Sequence, residues 1–164
     1  MYAPQKLVAA LLTLASGLAS AAEVQLTMEW YGPVQIGMTV TDAYAELKQL
    51  KGKAVAAPKD VAKEGCDYYH PFAGLAFMTQ GATIVRIETS DAEAVTPFDI
   101  RVGDPVAKVR ARFGQRLKEE PQRPGTLIVL SLDGKTAMRF EAGEQVKEIY
   151  AGYKHAINRS KGCS

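Results

Sequence analysis

The stretch Cys66-Asp67-Tyr68-Tyr69-His70-Pro71-Phe72 carries the densest set of reactive and recognition side chains in this 164-residue sequence. Asp67 and His70 are its one close acid and base pair, the minimum for proton transfer. Tyr68, Tyr69 and His70 join apolar bodies to polar tips, a residue type that concentrates at binding hot spots. The same stretch also reads as a strand that buries alternate aromatics and holds a disulfide. Strand alternation turns one of Tyr68 and Tyr69 inward and the other outward. Trp30 and Tyr150 carry the same ambiguity. The candidate partner-binding residues are therefore Trp30, Tyr68, Tyr69, His70 and Tyr150.

Other chemistry is missing from the pattern. The two histidines, His70 and His155, stand far apart with no HExxH or HxH spacing, so no metal site is expected. There is no G-x-S-x-G elbow, phosphate loop or dinucleotide fingerprint, and no cofactor is expected. Glu119 and Glu120 are adjacent on an expected strand and point to opposite faces, which separates them as an acid/base pair. Glu88, Asp91, Glu93 and Asp99 lack the ligand alternation and central glycine of a calcium loop. The expectation is a protein that is not an enzyme.

Cys66 and Cys163 are the only cysteines. An isolated pair in an exported chain reads as a disulfide, which restricts the unfolded chain by about 4–5 kcal/mol in the entropic account. Export itself is expected from residues 1–21. Lys6 supplies a positive start, Leu7 to Leu18 is largely apolar, and Ala19-Ser20-Ala21 is a small-x-small cleavage pattern. The apolar run is short for a membrane span. No cysteine stands near the cleavage position to carry a lipid, so no membrane anchor is expected after cleavage. Loss of Lys6 leaves 19 basic against 18 acidic side chains. Such a balance offers no electrostatic case for nucleic acid. Lys154, His155, Arg159 and Lys161 read as a solvated basic terminus.

The elements that must position these residues show an internal repeat. Gly37, Val40, Ala43 and Leu47 match Gly103, Val106, Val109 and Phe113 in spacing, and the last three of each set share one helical face. Thr39 is expected to cap the first helix and Asp104 the second, with Pro105 at its first position. Gly52 and Gly114 mark the expected helix ends. Four strand-like runs follow each helix: 53–57, 66–72, 75–80 and 83–89, then 116–120, 127–132, 136–141 and 145–151. Asp133-Gly134 signals a hairpin.

The sequence thus predicts an α+β protein of two tandem helix-plus-four-strand antiparallel units, residues 22–97 and 98–164. The helices would lie on one face, and the two sheets could run on into one. Val40, Ala43, Leu47 and Leu50 should pack on Phe77, Ile84 and Ile87. Val106, Val109 and Phe113 should pack on Ile128, Leu130, Phe140, Val146 and Ile149. Residues 90–96 read as a polar linker.

The Gly37-Met38-Thr39 helix start resembles that of the small lipoprotein family of the outer-membrane barrel-assembly machine. The doubled helix-plus-strand order is similar to the tandem-repeat β-lactamase inhibitory proteins, which grip an enzyme with a concave sheet. The resemblance implies a fold in which sheet residues opposite the helices face a partner. It departs at Asp104-Pro105, which replaces Met-Thr in the second copy. The functional expectation is a periplasmic or secreted binding module for a protein partner in the cell envelope, an enzyme inhibitor among the options. Binding of a carbohydrate or small ligand, stacked on Trp30, Tyr68 and Tyr69, is the alternative.

Overall fold

The computed structural model describes residues 24–50, 52–159 and 162–163. The expected leader at 1–21 and the basic Lys161 lie outside them. Among the described residues the chain is mainly β, with three short α-helices, and is not a pair of helix-plus-four-strand units. Seven strands build one antiparallel sheet. Cys66–Phe72 (β4), Leu75–Gln80 (β5) and Thr83–Thr89 (β6) come from the first half of the chain. Lys118–Glu119 (β8), Thr126–Leu130 (β9), Thr136–Ala142 (β10) and Val146–Tyr153 (β11) come from the second. The order is β4-β5-β6-β11-β10-β9-β8, so β6 and β11 join the halves at the centre.

The first half supplies three strands because the run 53–57 stays out of the sheet. Its link to β4 is the Ala56 N–H, which donates to Pro71 O at 2.7 Å. Ala54-Val55-Ala56-Ala57 has weak strand preference, and Pro58 halts any ladder. The linker expectation at 90–96 is also corrected. Val24–Gln25 (β1) pairs in parallel with Ala94–Val95 (β7) inside it, and Ala94 and Val95 are buried. Trp30–Tyr31 (β2) and Val34–Gln35 (β3) form a separate hairpin.

The helix Val40–Leu47 (α1) begins as its sequence dictates. Thr39 is extended, and its hydroxyl accepts from the Asp42 N–H at 3.2 Å. The helix Val106–Phe113 (α2) starts one residue later than expected. Pro105 takes the capping position, and the Asp104 carboxylate instead accepts from the Arg101 N–H at 2.9 Å to close the preceding turn. Gly37 and Gly103 both hold φ 92°, and each donates its N–H into a strand start, to Ile84 O and Val146 O. That shared positive φ is why both positions are glycine.

α1 and α2 share one core on one face of the sheet. Val40, Ala43, Leu47, Val109 and Phe113 pack with Tyr69, Phe77, Ile84, Ile87, Phe140 and Ile149. Leu127 and Val129 fill the places expected for Ile128 and Leu130, which face the other way. Alternation could not settle that register, because 126 to 129 are buried on both faces.

Part of the second face is buried by a third helix, Lys154–Ile157 (α3); its Lys154 and His155, and Arg159 beyond it, are exposed as expected, while Ala156 and Ile157 turn onto the sheet. Ala156 packs with Met78 and Val85, and Ile157 with Ile128 and Ala137. Cys66 and Cys163 then form a disulfide across a sequence separation of 97, with Cα atoms 5.2 Å apart. It ties the end of the chain to β4. Among the described residues no helix is long and apolar enough to cross a membrane.

Candidate binding face

α3 and the tail cover only part of the second sheet face. One cross-strand row, Met78–Arg86–Gly152–Ala137, lies beneath them. The next row runs Ala76–Glu88–Tyr150–Arg139–Ile128. Beyond it Glu148 stands opposite Glu141. The uncovered side of these rows is the candidate site.

Two buried arginines fix the border between covered and open sheet. Arg86 is 2% exposed. Its Nη1 donates to Ala156 O at 2.7 Å and Arg159 O at 3.0 Å, its Nη2 to the Tyr68 hydroxyl at 2.8 Å, and its Nε to Glu88 Oε1 at 2.8 Å. Arg139 is buried to the same degree, and its Nη1 donates to Ile157 O at 2.7 Å. Its Nε lies 2.9 Å from Glu141 Oε1, a charge contact without hydrogen-bond alignment. The arginines thus donate to carbonyls at and just beyond the C-terminal end of α3, where a short helix supplies few donors of its own; Ala156 O also accepts from the Arg159 N–H. Each charge is matched by a glutamate on its own strand, as burial requires.

Arg86 reaches its place through a bulge. Met78 pairs with Arg86 and Thr79 with Ile84, so Val85 is an extra residue, and Val85 and Arg86 both serve the second face. Gly152 lies against this bulge. A Cβ there would stand 2.4 Å from Val85 O, so only glycine admits the close approach of β11 to β6.

Tyr150 sits between the arginines. The Arg139 and Arg86 guanidinium carbons lie 4.0 and 5.2 Å from its ring centre. Its hydroxyl donates to Glu148 Oε2 at 2.6 Å. Burial first, then the bond to Glu148, holds the phenol well above the ordinary tyrosine range.

The structure brings together three of the five sequence candidates. Tyr68 bonds to Arg86, Arg86 lies over Tyr150, and His70 stacks on Tyr68 with ring centres 5.7 Å apart. Tyr69 turns into the α1 side of the sheet, 3% exposed, and its hydroxyl donates to Ala56 O at 2.8 Å. Trp30, 39% exposed, stands on the β2–β3 hairpin, whose Tyr31 and Val34 belong to the helix-side core. Asp67 spends its carboxylate on backbone N–H groups and makes no hydrogen bond to His70. Its carboxylate accepts from the Ala62 N–H at 2.8 Å and the Tyr68 N–H at 2.7 Å, and these two bonds hold it below the usual carboxylate range.

Sequence reasoning missed Arg86, Arg139 and the three glutamates. A faint signal was present: Arg-x-Glu occurs in two strands, at 86–88 and 139–141, placing both charges on one face. Beside this ladder, a groove of about 620 Å³ is lined by Glu88, Glu148, His70, Pro71 and Phe72 among others. Among the described residues no group of histidine, cysteine, aspartate or glutamate is arranged to hold a metal ion.

No family model matches the chain, and no curated protein sequence matches it. Among solved structures, the uncharacterized protein yfeY from Escherichia coli is similar in fold. It aligns over 78% of this chain and 99% of its own length, with a TM-score of 0.51 and 10% sequence identity.

Proposed function

We propose that this is an exported, disulfide-stabilised binding protein that engages a protein partner in the cell envelope through the open part of its second sheet face. The observation that carries this reading is the half-covered face itself. α3 seals one row of the sheet, while the adjoining rows present the half-buried Tyr150, clamped by two arginines and one glutamate. A rigid aromatic with little ordering cost is what a protein contact favours. The disulfide supports an oxidising compartment, periplasmic or extracellular. Carbohydrate stacking draws less support, since Trp30, Tyr68 and Tyr69 do not share one surface.

The test is a photo-crosslinking amino acid placed at exposed His70 and, separately, at Leu132, which is 95% exposed on the β9–β10 turn. A defined envelope protein should be captured from His70 and not from Leu132. Equal capture from both positions, or none from His70, would count against the reading.

A further inference from the structure

We infer that the groove beside Tyr150 is a docking site for a basic segment of a protein partner, taking one lysine or arginine side chain lengthwise. This names the partner chemistry of the face proposed above and rests on that reading. The argument starts from shape. Four of the residues lining the groove are small, Ala54, Ala73, Gly74 and Ala76, and together they give it an apolar floor. Ala76 is the cross-strand neighbour of Glu88, which fixes it on the same face as the ladder. Such a floor suits the methylene stem of a long cationic side chain, which buries its alkyl part while its head seeks an anion.

The carboxylates that line the groove supply that anion. Glu88 is matched by Arg86 and Glu141 by Arg139. Glu148 also lines the groove, and its bond comes from the neutral hydroxyl of Tyr150. Among the described residues no lysine or arginine pairs with it. Glu148 moreover faces Glu141 directly across the ladder, a like-charge pairing that works against the sheet. An incoming ammonium or guanidinium would relieve that opposition and bring the face to neutrality. An acidic segment would add to the repulsion.

The experiment is titration of the oxidised, isotope-labelled protein with three capped tripeptides, Ala-Lys-Ala, Ala-Arg-Ala and Ala-Glu-Ala, followed by amide NMR shifts. The lysine or the arginine peptide should move the amides of residues 70–76, 88 and 148, and the glutamate peptide should not. Glu148→Gln, which keeps an acceptor for Tyr150, should weaken binding about five-fold, the upper scale of a partly exposed ion pair. Ala76→Leu should abolish it by filling the floor, with a thermal melt confirming that the variant is folded. Salt at about 0.5 M should weaken the wild-type interaction. Equal response to all three peptides, shifts elsewhere on the protein, or unchanged affinity in Glu148→Gln would overturn the inference. If His70 crosslinks an envelope protein whose capture survives Glu148→Gln, the broader function stands and this inference alone fails.

Discussion

The guanidinium carbon of Arg139 lies over the Tyr150 ring, 4.0 Å from its centre, while Nη1 donates to the last carbonyl of α3. One side chain therefore couples the covered half of the sheet to the open half. Replacing it leaves the half-buried Glu141 without its cation, though still bonded by the Thr126 hydroxyl, and removes the Arg139 donor from Ile157 O. Arg139→Ala should cost about 1.5–3 kcal/mol, the scale of a hydrogen bond made by a charged group. Urea unfolding measures this. A loss below about 1 kcal/mol would show that α3 is held by its apolar contacts alone.

Gly152 should tolerate no side chain. A methyl there meets Val85 O at 2.4 Å and Arg86 Cα at 2.8 Å, both backbone atoms of the central strand pair. Gly152→Ala should destabilise by about 3 kcal/mol, since overpacking must part the two strands. Gly134 has open space around it and only its φ of 71° to lose, so Gly134→Ala should cost about 1 kcal/mol.

The adjacent tyrosines should separate in kind. Tyr69→Ala removes a core ring and should cost about 3–5 kcal/mol, whereas Tyr69→Phe loses only the bond to Ala56 O, about 1 kcal/mol. Tyr68→Phe should also fold, but it deprives Arg86 of one acceptor and loosens the tail around Gly162. Faster amide exchange at 162 and 163, with β4 unchanged, is the expected signature.

Reduction of the disulfide should lower stability and leave the sheet in place. The bond closes a long loop, for which the entropic model gives about 4–5 kcal/mol before any strain is subtracted. Chemical denaturation with and without a dithiol reads the difference. Mass spectrometry of the untreated protein should find no free thiol.

Alkaline pH should reveal the buried phenols. Burial, then the nearby Asp91 carboxylate, pushes Tyr31 up to about 12, and burial does the same for Tyr69. A folded-state value above the ordinary ~10 means that the stability is full below pH ~10 and is lost as pH rises towards 12. Phenolate absorbance should appear at higher pH in the folded protein than in the urea-unfolded one. Coincident titration curves would contradict the burial of these hydroxyls.

Parts of this structure were written locally. Thr39 and Asp42 mark a helix start, and Asp133-Gly134 marks the β9–β10 turn, because each depends on bonds within a few residues. Cys66 and Cys163 were legible from their number and setting. The errors share another cause. Residues 53–57 looked like a strand by position in the repeat, yet pairing is decided by neighbours distant in sequence. Ile128 and Leu130 were assigned to the helix side because nothing local distinguishes the faces of a strand buried on both. Nothing local marks Arg86 and Arg139 for burial, which comes from α3 returning over the sheet. Their burial depends on a segment some twenty to seventy residues away, so no short window could contain it.

The run 53–57 has an effect beyond its failure to join the ladder. It lies along β4, takes the Pro71 carbonyl through Ala56, and receives the Tyr69 hydroxyl. Pro71 has no N–H to offer on its own account. At the opposite margin β8 is only two residues long, and Pro121 follows soon after it. Both margins of the sheet are therefore poor templates for another strand. Such a molecule resists zipping onto its own copies, since an added strand gains few backbone bonds at either margin.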